Sequence, residues 1–169
     1  MKTTLIMALL VLLVPPTKHA NETAAEVGAR YGVIAIAIAD ETVDDRRLAL
    51  FMLAIARHES GFSRDVHNGR RRGDKGRSWG LFQILVGRHA DGLVPGTEYR
   101  AHEIVGVDAA STRRSVDAAA TWLRPMITKC HGAPLCVFTR YGGVGRNPPP
   151  EVLARLDARV ATFRLLATQ

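Results

Sequence analysis

The feature that most constrains this chain is an apolar stripe that ends at a carboxylate. Five apolar residues recur at the spacing of one helix face: Leu48, Phe51, Met52, Ile55 and Ala56. This pattern predicts an amphipathic helix that runs to about Ser60. Glu59 occupies the next position of the stripe, and Gly61 follows as a stop signal. Glu59 is therefore expected on the buried face of the last turn, the alternative being a surface glutamate at a frayed helix end.

A buried carboxyl in that place has a chemical use. Burial and the negative end of the helix dipole both disfavour the charge, so the pKa of Glu59 is expected to be raised. A glutamic acid with a raised pKa is suited to general acid catalysis near neutral pH. Trp79, Phe82 and Tyr141 can offer flat surfaces to sugar rings beside it, and Gln83 an amide that donates and accepts. The alternative is that Trp79 and Phe82 belong to the core.

The charge of the chain restricts its partners. A chain of 169 residues is long enough for one domain with a proper core. Its net charge of +7 and its isoelectric point of about 10.1 favour a polyanion, meaning nucleic acid, anionic lipid or an acidic cell-wall polymer. No metal-carboxylate cluster or nucleic-acid-binding motif accompanies the basic residues, which disfavours nucleic acid as the partner. The sequence indicates no metal site and no cofactor.

The amino terminus has the pattern of an export signal. Met1-Lys2 is a short basic start, and the run from Thr3 to Val14 carries no charge. That run is too short to span a membrane comfortably and suits the apolar region of a signal peptide. We expect residues 1–20 to be a signal peptide or an N-terminal anchor and residues 21–169 to form one domain in the periplasm or cell envelope. The alternative is a buried helix at the start of a cytosolic protein.

The rest of the chain is expected to be mostly helical. Its predicted helices begin at Asn21 or Thr23, at Asp40 or Thr42, at Ser115 and at Glu151, and Pro125 perturbs the end of the third of these. The segment from Val33 to Ala39 alternates Ile and Ala, which fits a strand or a buried helix. The segment from Arg64 to Arg77 has three Gly and six Arg or Lys, and it is expected to be an exposed loop.

Two cysteines fit the prediction of export. Cys130 and Cys136 enclose a segment that Gly132 and Pro134 favour as a turn. In an oxidising compartment the pair can close a small disulfide loop, and otherwise the two are reduced, buried thiols. Together with His131 they make a poor zinc site, because no fourth ligand lies nearby.

Three short segments resemble motifs of one family. The segment from His58 to Phe62 resembles the Glu-Ser motif of the soluble lytic transglycosylases, the goose-type-lysozyme-like group. Gly80-Leu81-Phe82-Gln83-Ile84 resembles that family's Gly-Leu-Met-Gln motif, and Gln83 lies 24 residues after Glu59, as in the family. The segment from Arg140 to Gly143 resembles the Ala-Tyr-Asn motif, with Gly142 in place of Asn. The resemblance covers roughly residues 45 to 146.

The resemblance implies a mainly α, lysozyme-like single catalytic domain, with room for a small irregular or β-hairpin lobe. Its substrate would be peptidoglycan, cut at the β-1,4 bond between N-acetylmuramic acid and N-acetylglucosamine. Glu59 would be the catalytic acid and then the base, and Ser60 would hold Glu59 or the sugar. Gln83 and Tyr141 would line the groove and orient Glu59 or the substrate. No cofactor is implied.

The outcome of the cut depends on a second carboxylate. Glycoside hydrolases generally use two carboxylates. In chicken-type lysozymes an Asp stands where this chain has Ser78, which we group with the substrate-binding residues. A lone Glu59 favours the transglycosylase route, in which the muramic N-acetyl group assists and a 1,6-anhydro ring closes. Asp74 and Asp65 keep hydrolysis open, since either can reach the cleft and position a water.

Two further alternatives concern binding. The segment from Arg64 to Arg77 can steer the protein to an anionic wall polymer or membrane, or it is only a solvated loop. A basic wall- or membrane-binding protein that keeps a lysozyme-like shell without catalysis is the competing function. Wall remodelling, a secretion machine and a phage assembly all use domains of the resembled kind.

Overall fold

The computed structural model describes residues 1–145 and 147–169. Arg146, the last residue of the stretch that carries the resemblance, lies outside the described residues. The described chain folds into seven α-helices and one antiparallel strand pair, in which Ser78 pairs with Leu85 and Trp79 with Ile84. These elements are α1 (Thr3–Leu13), α2 (Ala24–Glu41), α3 (Arg46–Glu59), α4 (Arg64–His67), β1 (Ser78–Trp79), β2 (Ile84–Leu85), α5 (Ala109–Lys129), α6 (Pro134–Tyr141) and α7 (Pro150–Ala167). The prediction of a mainly α chain is confirmed.

Helix α3 runs through the centre of the fold. Every residue from Leu48 to Ala56 is buried, because α1, α2, α5 and α7 all pack against α3. Its amino terminus is capped by Asp45, whose carboxylate accepts a hydrogen bond from the backbone N–H of Leu48 at 2.8 Å. The expected caps were wrong: Asp40 lies in α2, and Thr42 ends α2 by donating its hydroxyl hydrogen to the carbonyl oxygen of Ile38 at 2.7 Å.

The ambiguous segment from Val33 to Ala39 is helical and lies within α2. Thr23 begins this helix through a reciprocal capping box with Glu26. In the helix, Ile34 and Ile38 are one turn apart and fully buried, whereas Ile36 faces solvent. The alanines of this segment are buried as well, and their small side chains let α2 pack closely against α1 and α5. The alternation of Ile and Ala is therefore a feature of a closely packed helix.

The apolar amino-terminal segment forms α1, which packs against α2. Ile6 and Leu10 are fully buried in the same core as α3. The hydroxyl of Tyr31, in α2, donates to the backbone carbonyl of Val14 at 2.8 Å, which connects the residue after α1 to α2. No helix among the described residues combines the length and the apolar character that crossing a membrane requires.

The basic segment from Arg64 to Arg77 is only partly an exposed loop. It begins with the short helix α4, in which Val66 and His67 are buried, so the prediction of a wholly exposed loop was wrong. His67 is held inside by a hydrogen bond between its Nε2 and the hydroxyl of Thr112, at 3.1 Å. The side chains of Arg70 to Arg72 remain exposed.

Helix α5 is longer than its apolar stripe predicts and continues through Pro125 to Lys129. It ends at Cys130, which forms a disulfide with Cys136 near the start of α6. The bond connects α5 to α6, and α6 in turn packs against α7. These connections place Tyr141, at the end of α6, opposite the end of α3.

Candidate active site

Glu59 lies in a cleft of about 550 Å³. Four parts of the chain form its walls: the segment from Asp74 to Leu85, Trp122 of α5, the end of α6 with the glycines that follow it, and α7. The end of α3 supplies Glu59, as the apolar stripe predicts, and its side chain is 20% exposed. A partly buried carboxyl in an open cleft can reach a ligand while remaining largely shielded from water.

The carboxylate of Glu59 is paired with an arginine of α7. Its Oε1 accepts a hydrogen bond from Nη2 of Arg159 at 2.6 Å, and the arginine side chain is 14% exposed. Burial raises the pKa of Glu59, and the positive charge of Arg159 opposes that shift. The net direction is upward, so the predicted raised pKa of Glu59 agrees with its surroundings.

Tyr141 lines the cleft next to the segment that carries Gln83. Its hydroxyl donates to the backbone carbonyl of Phe82 at 2.6 Å. Burial raises the pKa of Tyr141 strongly and the nearby negative charge of Glu59 raises it further, so the phenol stays protonated. Tyr141 thus lines the cleft as expected, but its hydroxyl hydrogen is already used within the protein.

Gln83 also lines the cleft and braces the segment around it. Its Oε1 accepts from the backbone N–H of Gly73 at 2.6 Å, and its Nε2 donates to the carbonyl of Gly80 at 2.9 Å. A Cβ at Gly73 would collide with Oε1 of Gln83, so any side chain there would displace this amide. The amide therefore shapes one wall of the cleft through two hydrogen bonds inside the protein.

Ser78 and Asp74 both line the cleft with Glu59. Asp74 is partly exposed and forms an ion pair with Arg77, with 2.8 Å between its Oδ2 and Nη2. Asp65 does not reach this cleft: it lies in a separate basic cavity next to Arg70. Of the two aspartates that we considered for hydrolysis, only Asp74 shares the cleft.

Two aromatic residues that we expected in the groove are in the core. Phe82 is fully buried and contributes only its backbone carbonyl to the site. Trp79 is also buried, where its Nε1 donates to the carbonyl of Gly87 at 2.6 Å, and the guanidinium of Arg72 lies 4.2 Å from the ring centre. The prediction that Trp79 and Phe82 present their rings to a sugar was wrong, because the strand pair turns both inward.

The side chain of Ser60 makes no hydrogen bond to Glu59 and is not exposed in the cleft. It is buried, its hydroxyl donates to the carbonyl of Ala56 at 2.8 Å, and its oxygen accepts from the N–H of Phe62 at 3.1 Å. These two bonds end α3 and start the turn after it. Ser60 therefore acts on Glu59 through the backbone and does not contact the cleft.

Sequence reasoning missed three arginines that line the cleft: Arg140, Arg155 and Arg159. A signal for Arg159 is present in the sequence. The predicted apolar stripe of α7 contains Val152, Leu156, Val160 and Phe163, and Arg159 lies on it, one turn from Leu156 and Phe163. An acid interrupts the stripe of α3 and a base interrupts that of α7, so two such helices that pack together can pair the charges.

Within residues 1–145 and 147–169, no group of three or more His, Cys, Asp or Glu side chains is arranged to hold a metal ion. Comparison of the chain with protein-family models, curated proteins and solved structures found no match. The geometry of the cleft and the three sequence motifs around Glu59, Gln83 and Tyr141 are therefore the features that indicate a function.

Proposed function

We propose that the protein is a peptidoglycan lytic transglycosylase with Glu59 as its acid and then its base. The observation that carries the proposal is the partly buried carboxyl of Glu59, which ends α3 inside an open cleft and whose pKa burial raises. A general acid requires such a group. The sequence motifs around Glu59, Gln83 and Tyr141 supply the substrate class, and the structure brings all three residues to one cleft.

In the proposed reaction, Glu59 first gives its proton to the glycosidic oxygen as the bond from the muramic anomeric carbon breaks. The carbonyl oxygen of the muramic N-acetyl group assists at that carbon. The Glu59 carboxylate then takes the proton of the 6-hydroxyl of the same sugar, and the 6-oxygen bonds to the anomeric carbon. The products are a 1,6-anhydro sugar and a free 4-hydroxyl, and no water is consumed.

The polar walls of the cleft suit this proposal. Ser78, which is a hydroxyl and not a carboxylate, occupies the wall next to Gln83. The hydrogen bonds of Gln83 and Tyr141 hold the walls in place before a ligand arrives. Preorganised walls reduce the cost of orienting a glycan strand against Glu59.

Hydrolysis of the same bond is the second candidate, and Asp74 is the observation that favours it. Asp74 lines the cleft with Glu59, and a second carboxylate can position a water. Its Oδ2 lies 2.8 Å from Nη2 of Arg77, so the ion pair anchors the side chain at the edge of the cleft. If the protein is a muramidase, Asp74→Asn will abolish the products with reducing ends.

The decisive experiment incubates purified cell-wall sacculi with the wild type, Glu59→Gln and a matched control, Glu151→Gln, which changes an exposed glutamate of α7. Mass spectrometry of the released fragments is expected to show 1,6-anhydro ends for the wild type and the control and no release by Glu59→Gln. Reducing ends would favour the muramidase. Release of fragments by Glu59→Gln would show that Glu59 is not the catalytic acid. Binding of the wild type to sacculi without release of fragments would favour the non-catalytic wall- or membrane-binding protein.

We also propose that the protein acts outside the cytoplasm, in the periplasm or cell envelope, where its glycan substrate lies. The disulfide between Cys130 and Cys136 suits an oxidising compartment. The exposed arginines from Arg70 to Arg72 suit contact with an anionic wall polymer or membrane. A secretion machine or a phage assembly is the kind of larger partner that uses such an activity.

A further inference from the structure

Arg159 lies in α7, outside the stretch that resembles the transglycosylase motifs. We infer that Arg159 is a positioning residue that holds one carboxylate oxygen of Glu59, Oε1, so that the other oxygen, Oε2, exchanges the proton with the substrate. The inference rests on the proposed function, since it assigns a role within that reaction. It deepens the proposal by adding a residue that the motifs do not contain.

The hydrogen bonds of Glu59 distinguish its two oxygens. Oε1 is 2.6 Å from Nη2 of Arg159, whereas Oε2 makes no hydrogen bond to any residue that the structure describes. The carboxylate is planar, so anchoring Oε1 restricts the direction in which Oε2 points. Because Glu59 lines the cleft, Oε2 is the oxygen left for a ligand. Anchoring by Arg159 therefore orients the carboxyl of Glu59, which acts first as the acid and then as the base of the reaction.

Arg159 is itself held by the packing of α7 against α3. One turn further along α7, the hydroxyl of Thr162 lies 2.9 Å from Nε2 of His58, the residue before Glu59. The ring of Phe163 packs on that of Phe51, with 4.4 Å between their centres. These two contacts hold α7 against α3 near the ion pair, so the guanidinium reaches Oε1 from a helix that is packed in place.

The charged and titratable groups around Glu59 come from several elements. The charged ones are Arg159 and Arg155 of α7, Arg140 of α6, Asp74 of the segment before β1, and Arg57 of α3 itself. Tyr141 of α6 and His58 of α3 are titratable, but burial raises the pKa of Tyr141 and lowers that of His58, which favours the neutral form of each. Arg159 is the cation bonded to the carboxylate, and its charge opposes the effect of burial on the pKa of Glu59. Burial favours the protonated form that starts the reaction, and Arg159 favours the carboxylate that follows proton donation. The opposition of the two effects suits a group that must be acid and then base.

The variants Arg159→Met and Arg159→Lys separate charge from geometry. Methionine removes the cation, so the pKa of Glu59 is expected to rise further. Since the first step needs protonated Glu59, the fall of activity at high pH will then move to higher pH. Lysine keeps a cation but not the planar guanidinium, so the fall is expected to stay near its wild-type position. Turnover of sacculi should decrease at least about tenfold in Arg159→Met.

The experiment follows Glu59 by NMR titration of its side-chain carboxyl, assigned with Glu59→Gln, and measures the pH profile of sacculus turnover for each variant. Arg164→Met, at an exposed position of the same helix, is the matched control. Circular dichroism checks that each variant is folded. The expected result is an upward shift of the Glu59 titration in Arg159→Met alone, together with the decrease in turnover.

Two outcomes overturn the inference while the proposed function stands. One is a titration of Glu59 that is the same in Arg159→Met and in the wild type. The other is wild-type turnover and an unchanged pH profile in Arg159→Met, as expected of an ion pair that only stabilises the fold. If the wild type releases nothing from sacculi, the proposed function fails, and the titration alone then shows whether Arg159 holds the carboxyl.

Discussion

The hydroxyl of Tyr141 donates a hydrogen bond of 2.6 Å to the backbone carbonyl of Phe82. This bond connects the end of α6 to the turn between β1 and β2, which are far apart in the chain. Two walls of the Glu59 cleft are thereby joined at one point, with Gln83 next to it. The aromatic ring of Phe82 is in the core, so the residue serves the site through its backbone alone.

Replacing Tyr141 with Phe is expected to destabilise the fold and weaken the site. The change keeps the ring but leaves the Phe82 carbonyl without its donor. An unpaired buried polar group costs about 1–3 kcal/mol, so the free energy of unfolding should decrease by that amount in urea denaturation. Turnover of sacculi should decrease as well, because the two walls are no longer joined. Unchanged stability and turnover in Tyr141→Phe would show that the bond does not shape the cleft.

His67 makes the stability of the fold depend on pH. Burial lowers the pKa of His67 to about 3, because its imidazole lies in the core beside Thr112. The unfolded chain binds a proton near pH 6.5, so the contribution of neutral His67 to stability is complete above that pH. It is lost as the pH falls toward 3, at about 1.4 kcal/mol per pH unit.

The measurement is the free energy of unfolding between pH 6.5 and pH 5. His67→Gln removes the titrating group, and its slope with pH should be smaller than that of the wild type by about 1.4 kcal/mol per unit. His89→Gln, at an exposed position, is the control and should keep the wild-type slope. Equal slopes for all three proteins would place His67 in contact with water.

The packing of α1 on the rest of the fold can be tested with two of its leucines. Leu10 is fully buried against α2, whereas Leu12 is 51% exposed. Leu10→Ala is expected to decrease the free energy of unfolding by about 2–5 kcal/mol, as for other buried leucines, and Leu12→Ala should have little effect. Thermal or urea unfolding of the full chain provides the measurement.

Equal effects of Leu10→Ala and Leu12→Ala would mean that α1 does not pack on the domain. Amino-terminal sequencing of the protein recovered from the cell envelope then separates the two leader hypotheses. A start after Ala20 indicates a cleaved signal peptide, and an intact start indicates an anchor that stays with the domain.

Local patterns account for the parts of the fold that the sequence predicts well. The stripe of α3 and the position of Glu59 at its end follow from the helical period, which depends only on neighbouring residues. The helical period did not identify the segment from Val33 to Ala39 as a helix, because a helix that is buried on most sides has no distinct apolar face. The aromatic rings were assigned to the wrong side, since two-residue strands such as Ser78–Trp79 are too short to show an alternation.

By itself, the sequence determined that the chain is mainly helical, that an acid ends one amphipathic helix, and that Gln83 and Tyr141 are candidates to join this acid. Only the tertiary structure decided that Trp79 and Phe82 face the core and that Arg159, 100 residues after Glu59, pairs with its carboxylate. The reason is physical. Helix periods and caps are set within a few residues of the chain, whereas the partner of a buried charge is set by which helices pack together and in which register.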